Sequence, residues 1–233
     1  MKVNKEWISI SDMMAGLMMV FLFIAVSLMM IVQEEQNTIK KIVFTYSEYQ
    51  DSLKYDLQEE FKEDLMKWDA EILSDNTIRF KSPDVLFKIN ESSITTEFRT
   101  ILNDFFPRYI SLLTNDKYKN EIDEIRVEGH TSSIWNKYTK EEDKYLNNMV
   151  LSQNRAKSVL AYCYKLSKEN QKWLNGVFRA NGLSYSKNIL DKEGKEDIKK
   201  SQRVEFKVIT KAEEKIFNII ETFFYISAIF IYL

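Results

Sequence analysis

Two stretches of this 233-residue chain govern its fold class: Val127-Glu128-Gly129-His130-Thr131-Ser132-Ser133 and Asn147-Asn148-Met149-Val150-Leu151-Ser152-Gln153-Asn154-Arg155-Ala156. The first ends a segment, 122–128, in which apolar and polar residues alternate as they do in a half-buried strand. The second belongs to a pattern of helical spacing over 146–166. A strand that leads through a glycine to a long helix is typical of a domain in which helices pack on a sheet.

Shorter patterns extend this domain on both sides. Asp75-Asn76 is a turn signal, and Thr95 or Thr96 is placed to cap a helix that runs to about Leu113. Three further segments have the pattern of short strands: 77–81, 177–180 and 203–209. We therefore predict one α/β domain over residues 76–210, an α+β sandwich with its helices on one face of the sheet.

Composition excludes several classes of function. The 33 basic and 35 acidic residues leave a net charge of −2, and this argues against nucleic acid as a partner, because phosphate binding needs an excess of cations. The sequence has one cysteine, Cys163, and one histidine, His130, so it predicts neither an intrachain disulfide nor a zinc site built from several Cys or His. No nucleophile–base–acid set is recognisable. We expect a binding protein rather than an enzyme, without a metal or a cofactor.

An apolar run, residues 13–32, precedes the domain and is long enough to cross a bilayer as a helix that rises about 1.5 Å per residue. A signal peptide is the alternative, but its apolar core is typically only about 7–15 residues long. Lys2 and Lys5 precede the run, and Glu34 and Glu35 follow it. The positive-inside rule therefore predicts a single-pass protein, with residues 1–12 in the cytoplasm and the domain outside.

Asp12 stands where the predicted helix enters the membrane. In a helix it shares a face with Gly16 and Ser27, whereas the other faces are bulky and apolar. A carboxylate within a span costs about 2.5–3.5 kcal/mol and normally faces water or a partner. From its position alone two interpretations stay open: Asp12 caps the helix, or it carries a proton or another ion.

Residues 33–75 contain neither Pro nor Gly, and their apolar residues recur every three or four positions from Ile39 to Ile72. This spacing predicts a long amphipathic helix, which we call the stalk. Its apolar stripe must be buried against something. We predict a dimer contact with the same helix of a second copy, and packing on the chain's own domain is the alternative.

The two quoted stretches resemble the OmpA-like peptidoglycan-binding domain, whose pattern is V-x-G-H-T-D followed by N-x-x-L-S-x-x-R-A. The likeness covers about 77–210 and includes a closing strand, Gln202-Arg203-Val204-Glu205-Phe206. It implies that the domain holds the diaminopimelate of a peptide stem, with Arg155 on a carboxylate and Asn148 on the loop or the stem. By resemblance, peptidoglycan binding is assigned to Ser132, His130, Asn148, Leu151, Arg155 and Arg203.

The sequence departs from the family pattern at Ser132, where the family has an acid that binds the amine of the stem. The resemblance therefore leaves the amine acceptor open. Ser133, or an acid of Glu141-Glu142-Asp143 within an insert at 134–146, is the expected substitute. For His130 we expect a structural hydrogen bond rather than catalysis.

The amino-terminal region resembles a second pattern, W-x-S-x-x-D-M-M-x-x-L-M-x-x-F-L, which reaches from Trp7 through Asp12 to Leu22. It looks like the MotB-like stator family, and most like the B subunit of the Zorya anti-phage system. The resemblance implies a proton-driven motor of the bacterial inner membrane, in which Asp12 carries protons and the periplasmic domain anchors to peptidoglycan. Its implied partners are a ring of MotA-like A subunits and a second copy of the chain. A flagellar-type or other stator subunit, or a passive wall anchor without ion flux, is the alternative.

The segment 211–233 forms an apolar and aromatic tail. Polar residues interrupt it, and its uninterrupted apolar part is short for a second membrane span. A helix that docks on the domain, a tail that touches the membrane and an abnormal end of the reading frame stay open. Its role is therefore unassigned.

Overall fold

The computed structural model describes residues 3–136, 138–211 and 217. The chain divides into two compact units, residues 1–47 with 214–233, and residues 48–213. All the described strands belong to the second unit. The predicted tail at 211–233 lies outside the described residues except for Lys211 and Phe217.

Helix α1, Val3–Phe61, begins in the first unit. Among the described residues, one helical segment, Ile10–Lys41, is long and apolar enough to cross a membrane. Residues 10–34 are all exposed, although most of them are large and apolar. Lipid would cover such a surface, so α1 carries a candidate for a single membrane span where the sequence predicts one, at 13–32.

The carboxyl-terminal part of α1 belongs to the second unit, and its apolar stripe does not have the predicted partner. Leu53, Leu57 and Phe61 are fully buried in the core of that unit. This half of the stripe therefore packs on the chain's own domain and not on a second copy. A dimer contact remains a proposal only for the part of α1 ahead of residue 48.

The helix is also shorter than the predicted stalk at 33–75. It ends at Phe61, and a turn over 62–69 leads into the first strand, Ala70–Ile72. The apolar spacing continues beyond the helix because Leu65 and Trp68 still pack against the same core. Spacing alone therefore indicates which residues face the core but not where the helix ends.

Replacing Leu57 with alanine tests this packing. We expect a loss of about 2–5 kcal/mol in the free energy of unfolding, because the removed methyl groups leave a cavity in a packed core. Urea unfolding of the full chain in detergent, followed by tryptophan fluorescence, measures the change. Tyr55 is 63% exposed on the same helix, and Tyr55→Ala should stay within about 0.5 kcal/mol of wild type. A Leu57→Ala variant as stable as wild type would contradict the packing.

Among the described residues, five strands form one sheet: β1 (Ala70–Ile72), β2 (Ile78–Phe80), β3 (Ile122–His130), β4 (Phe178–Gly182) and β5 (Arg203–Thr210). Their order across the sheet is β1-β2-β5-β3-β4. β3 pairs parallel with β4 and antiparallel with β5, and β2 pairs antiparallel with β1 and β5. The strands predicted at 77–81, 122–128, 177–180 and 203–209 are confirmed, whereas β1 lies where a helix was predicted.

The other α-helices in the described part of the domain are α2 (Pro83–Leu86), α3 (Thr96–Leu113), α4 (Glu141–Leu166), α5 (Gln171–Val177) and α6 (Ile198–Ser201). The predicted cap of α3 is confirmed, since Thr95 Oγ1 accepts a hydrogen bond from the backbone N–H of Phe98 at 3.0 Å. Helix α4 begins earlier than predicted. Residues 141–146 of the predicted insert therefore belong to the helix.

The core of the domain is rich in aromatic side chains. The ring of Phe105, on α3, has its centroid 5.2 Å from that of Phe61, 5.2 Å from that of Phe80 and 5.0 Å from that of Phe206. These contacts join α1, α3, β2 and β5 into one core and form the predicted α/β domain. Helix α4 lies against β3 and β4, so its first half stands beside the loop that follows β3.

Candidate functional site

A cavity of about 300 Å³ opens where the loop after β3 meets the first half of α4. Helices α2 and α6 complete its wall. Four of the predicted binding residues line it together: Ser132, Asn148, Leu151 and Arg155. The other lining residues are not among the predicted binding residues, although Thr131 and Gln202 stand within the quoted motifs. They are Pro83, Asp84, Ile89, Asn90, Thr131, Ile134, Trp135, Ile198, Lys199 and Gln202.

These additional lining residues come from three separate parts of the chain, 83–90, 131–135 and 198–202. They lie in loops and very short helices, where no hydrophobic period exists. The one sequence signal in the first part is Pro83, which predicts a break after β2. Their convergence on one cavity is a product of the folded sheet.

Arg155 forms part of the cavity wall and is 6% exposed. Its Nε donates to the carbonyl oxygen of Glu91 at 2.9 Å, and its Nη2 donates to that of Lys88 at 3.4 Å. The guanidinium carbon lies 4.9 Å from the ring centroid of Phe87. Burial lowers the pKa of Arg155 to about 10, so it remains a cation at neutral pH. Among the described residues Nη1 has no acceptor, so its two N–H groups are left for a ligand carboxylate.

Two buried polar atoms of the cavity wall lack a hydrogen-bond partner in the described part of the chain. They are Nδ2 of Asn148, which is 1% exposed, and Oγ1 of Thr131, which is 3% exposed. An unsatisfied buried group costs about 1–3 kcal/mol, so its place in a cavity wall indicates that a ligand or water supplies the partner. Asn148 and Arg155 both donate, which suits a carboxylate or carbonyl oxygen.

Ser132 occupies the position at which the OmpA-like pattern has an acid, and its Oγ accepts a hydrogen bond from Nε2 of Gln202 at 3.3 Å. Neither expected substitute for that acid lines the cavity. Ser133 instead donates its backbone N–H, at 2.9 Å, and its hydroxyl to the carboxylate of Glu196. The acids at 141–143 are exposed on the first turn of α4.

The structure places the two other predicted binding residues, His130 and Arg203, outside the cavity in a buried ion network. His130 Nε2 lies 3.3 Å from Oε2 of Glu205, and Arg203 Nε donates to Oε1 of Glu205 at 2.7 Å. Arg79 Nε donates to the same Oε1 at 2.6 Å. Burial opposes ionisation of Glu205, but its contacts with His130 and Arg203 lower its pKa well below the usual range. Burial lowers the pKa of His130, which favours the neutral imidazole.

Strand alternation explains why the side chain of His130 lies outside the cavity, whereas its neighbour Thr131 lines it. Successive side chains of a strand point to opposite faces. Gly129 faces α4, because a Cβ built on it would lie 2.3 Å from the carbonyl oxygen of Ser152. His130 therefore points away from α4, and only after the strand ends does the chain turn back to the cavity.

The described residues contain one group with metal-ligand spacing, since atoms of Glu128, His130 and Glu205 lie within 4.8 Å of one another. All three residues are buried. Arg79 and Arg203 already contact Glu205 and balance the two carboxylate charges. A divalent cation would add uncompensated charge in a buried place, so the group suits an internal ion network rather than a metal site.

Asp12 belongs to the first unit and lies well inside α1, because the helix begins at Val3. The helix-cap interpretation of Asp12 is therefore wrong. Asp12 is exposed and lies within the apolar segment Ile10–Lys41. A carboxylate in such a segment needs water, a partner or a proton, and the ion-carrying role of Asp12 stays a prediction.

Comparison with known proteins agrees with this architecture. The family model described as the OmpA family matches residues 86–203, which include four of the predicted binding residues that line the cavity. The chain belongs to the OmpA family. Within it, the chain is a homologue of the Zorya protein ZorB of Escherichia coli (strain Crooks). The two are 46% identical over 221 residues, which cover 94% of this chain and 93% of that protein.

Solved structures with a similar fold include a MotB-like protein from Desulfovibrio vulgaris, 17% identical, with a TM-score of 0.49 and coverage of 73% of this chain and 94% of that one. Another is the periplasmic domain of Helicobacter pylori MotB, 18% identical, with a TM-score of 0.45 and coverage of 66% and 98%. At this level of identity the likeness concerns the fold alone.

Proposed function

We propose that this chain is the MotB-like B subunit of an inner-membrane motor in anti-phage defence. One observation carries the proposal: the 46% identity to ZorB extends over 94% of the chain, so it includes both the membrane segment and the OmpA-like domain. In this proposal the amino terminus is cytoplasmic and the domain periplasmic. The partners are a ring of MotA-like A subunits, a second copy of the chain and peptidoglycan.

The cavity supports the anchoring role. It brings the buried Arg155 guanidinium and the unpaired Asn148 amide to one wall, and both are donors that suit a carboxylate of a peptide stem. Ser132 and Leu151 add a hydroxyl group and an apolar contact. His130, the one histidine of the chain, lies outside the cavity and can serve no hydroxyl there as a base, so we propose binding rather than catalysis.

Asp12 supports the ion-carrying role. An elementary charge that crosses the membrane gains about 2.3 kcal/mol per 100 mV of potential. A carboxylate that takes up and releases a proton on an exposed face of an apolar helix can couple this energy to movement of a surrounding partner. The anchored domain would hold the subunit still while that partner moves.

Replacing Arg155 with alanine tests the anchoring role. We expect binding to purified peptidoglycan sacculi to fall about tenfold or more, because a charge-assisted hydrogen bond contributes about 1.5–3 kcal/mol. Co-sedimentation of the full chain in detergent with sacculi measures it. Arg155→Lys should also bind weakly, since lysine keeps the charge but loses the planar fork.

The matched control is Arg99→Ala, because Arg99 is exposed on α3 and does not line the cavity. Among the described residues its side chain makes no hydrogen bond or ion pair, and its guanidinium lies over the ring of Tyr162. It should bind sacculi as wild type does. Thermal melts must show that Arg155→Lys remains folded, since Arg155 also bonds to two carbonyl groups. Sacculus binding that is unchanged in both Arg155 variants, or absent in wild type, would contradict the proposed anchor.

A further inference from the structure

The charges around the cavity are arranged for a ligand that carries both signs. Arg155 and Lys199 bring positive charge to the lining, and Asp84 brings a carboxylate. Asp84 is the one acid among the described lining residues, and it is exposed. It forms no hydrogen bond or ion pair with any described residue. A carboxylate left unpaired at a cavity is available to an ammonium group of a ligand.

The cavity also contains buried hydrogen-bond donors that can bind an anionic group. Asn148 Nδ2 and Thr131 Oγ1 are buried, line the cavity and have no partner in the described chain. Together with Nη1 of Arg155 they can receive a carboxylate or carbonyl oxygen. The cavity therefore offers donors for an anionic group and, at Asp84, an acceptor for a cationic one.

A second acid, Glu196, lies near the loop after β3 but is already engaged. One of its oxygens accepts the backbone N–H of Ser133, and the other accepts the hydroxyl of the same residue. Glu196 does not line the cavity. Its carboxylate is therefore directed at the backbone of the loop, where it holds the segment next to Ser132 in place.

We propose that Asp84 binds the free amine of the ligand and so determines its specificity, taking over the task that the neutral Ser132 cannot perform. The ligand class is an amino-acid-like group with an ammonium and a carboxylate, as in a peptide stem with a free side-chain amine. The carboxylate lies at Arg155 and Asn148, and the ammonium lies at Asp84. This inference rests on the proposed peptidoglycan anchor, and it adds Asp84 as the residue that recognises the amine of the ligand.

The test compares two forms of the same sacculi, untreated and treated with acetic anhydride to acetylate the free amines. Acetylation removes the positive charge, so wild-type full chain should bind the treated sacculi about tenfold more weakly. Asp84→Asn should bind both forms equally, and about as weakly as wild type binds the acetylated form. The substitution keeps the size of the side chain and breaks no described contact, so the fold should persist.

Glu196→Gln is the matched control, because it removes one charge near the cavity while an amide can still engage Ser133. It should keep the tenfold effect of acetylation. An Asp84→Asn variant that still discriminates the two forms, or a Glu196→Gln variant that no longer does, overturns the inference. If wild type binds both forms equally well, the inference fails but the anchor stands. If wild type binds neither form, the proposed anchor itself fails.

Discussion

Asp12→Asn is expected to abolish protection against phage in cells that carry the complete native gene cluster. An amide cannot take up and release a proton, so a motor driven through this position would lose its energy source. The expected plating efficiency is that of cells without the gene. The helix itself should persist, because Asp12 lies within α1 and makes no cap that the change could break. Plaque assays at equal membrane levels of the two proteins measure the effect.

Glu34→Gln is the matched control for Asp12→Asn. Glu34 lies toward the other end of the segment Ile10–Lys41, is exposed like Asp12, and its replacement also exchanges one carboxylate for an amide. Protection should survive this change. Full protection by Asp12→Asn would refute ion coupling through Asp12 and leave a passive wall anchor. If both variants lose protection, removal of any charge from the helix is enough to cause the loss, and the result would not support proton transfer at Asp12.

Gly129→Ala is expected to destabilise the domain by about 3 kcal/mol. A Cβ at residue 129 would lie 2.3 Å from the carbonyl oxygen of Ser152 and 3.3 Å from the backbone nitrogen of Ala156. Both are backbone atoms of α4, so no side chain can rotate away and the whole helix must move from β3. Arg155 and Asn148 lie on that helix, while Thr131 follows β3, so sacculus binding should fall as well.

Urea unfolding and sacculus co-sedimentation of the full chain measure these two effects. Gly176→Ala provides the control, because a Cβ at residue 176 in α5 meets no heavy atom within 4 Å. Alanine has the higher helix propensity, so this variant should be as stable as wild type or more stable by up to about 1 kcal/mol. Wild-type stability of Gly129→Ala would contradict the close contact of α4 with β3.

Several elements could be predicted because their signals are local. The apolar run at 13–32 is long enough for a bilayer whatever the rest of the chain does. Thr95 caps α3 through a hydrogen bond that spans three residues. The strand that ends at Gly129 and the helix that contains Arg155 follow from alternation and helical spacing, and the family pattern joins them in one domain.

The partner of the apolar stripe could not be predicted. Leu53, Leu57 and Phe61 have the spacing that a dimer contact requires, yet they are buried in the chain's own core. Periodicity indicates that one side of a helix is buried, but it contains no information about what covers that side. For the same reason the spacing predicts a helix that continues beyond Phe61, since the core also contacts the turn that follows it.

Which residues line the cavity likewise became clear only from the folded domain. From motif order alone, His130 and Arg203 belong with Arg155, but strand alternation directs His130 away from α4 and into an ion network with Glu205. Asp84 belongs to no recognised motif. It lines the cavity because β2 ends beside the start of β5, and α2 follows β2 at that end of the sheet. Sequence alone predicts the candidate membrane span, the class of domain and the donors on α4, because each depends on neighbours along the chain. The tertiary structure determined which side chains meet across the cavity, because those contacts join segments that only the sheet brings together.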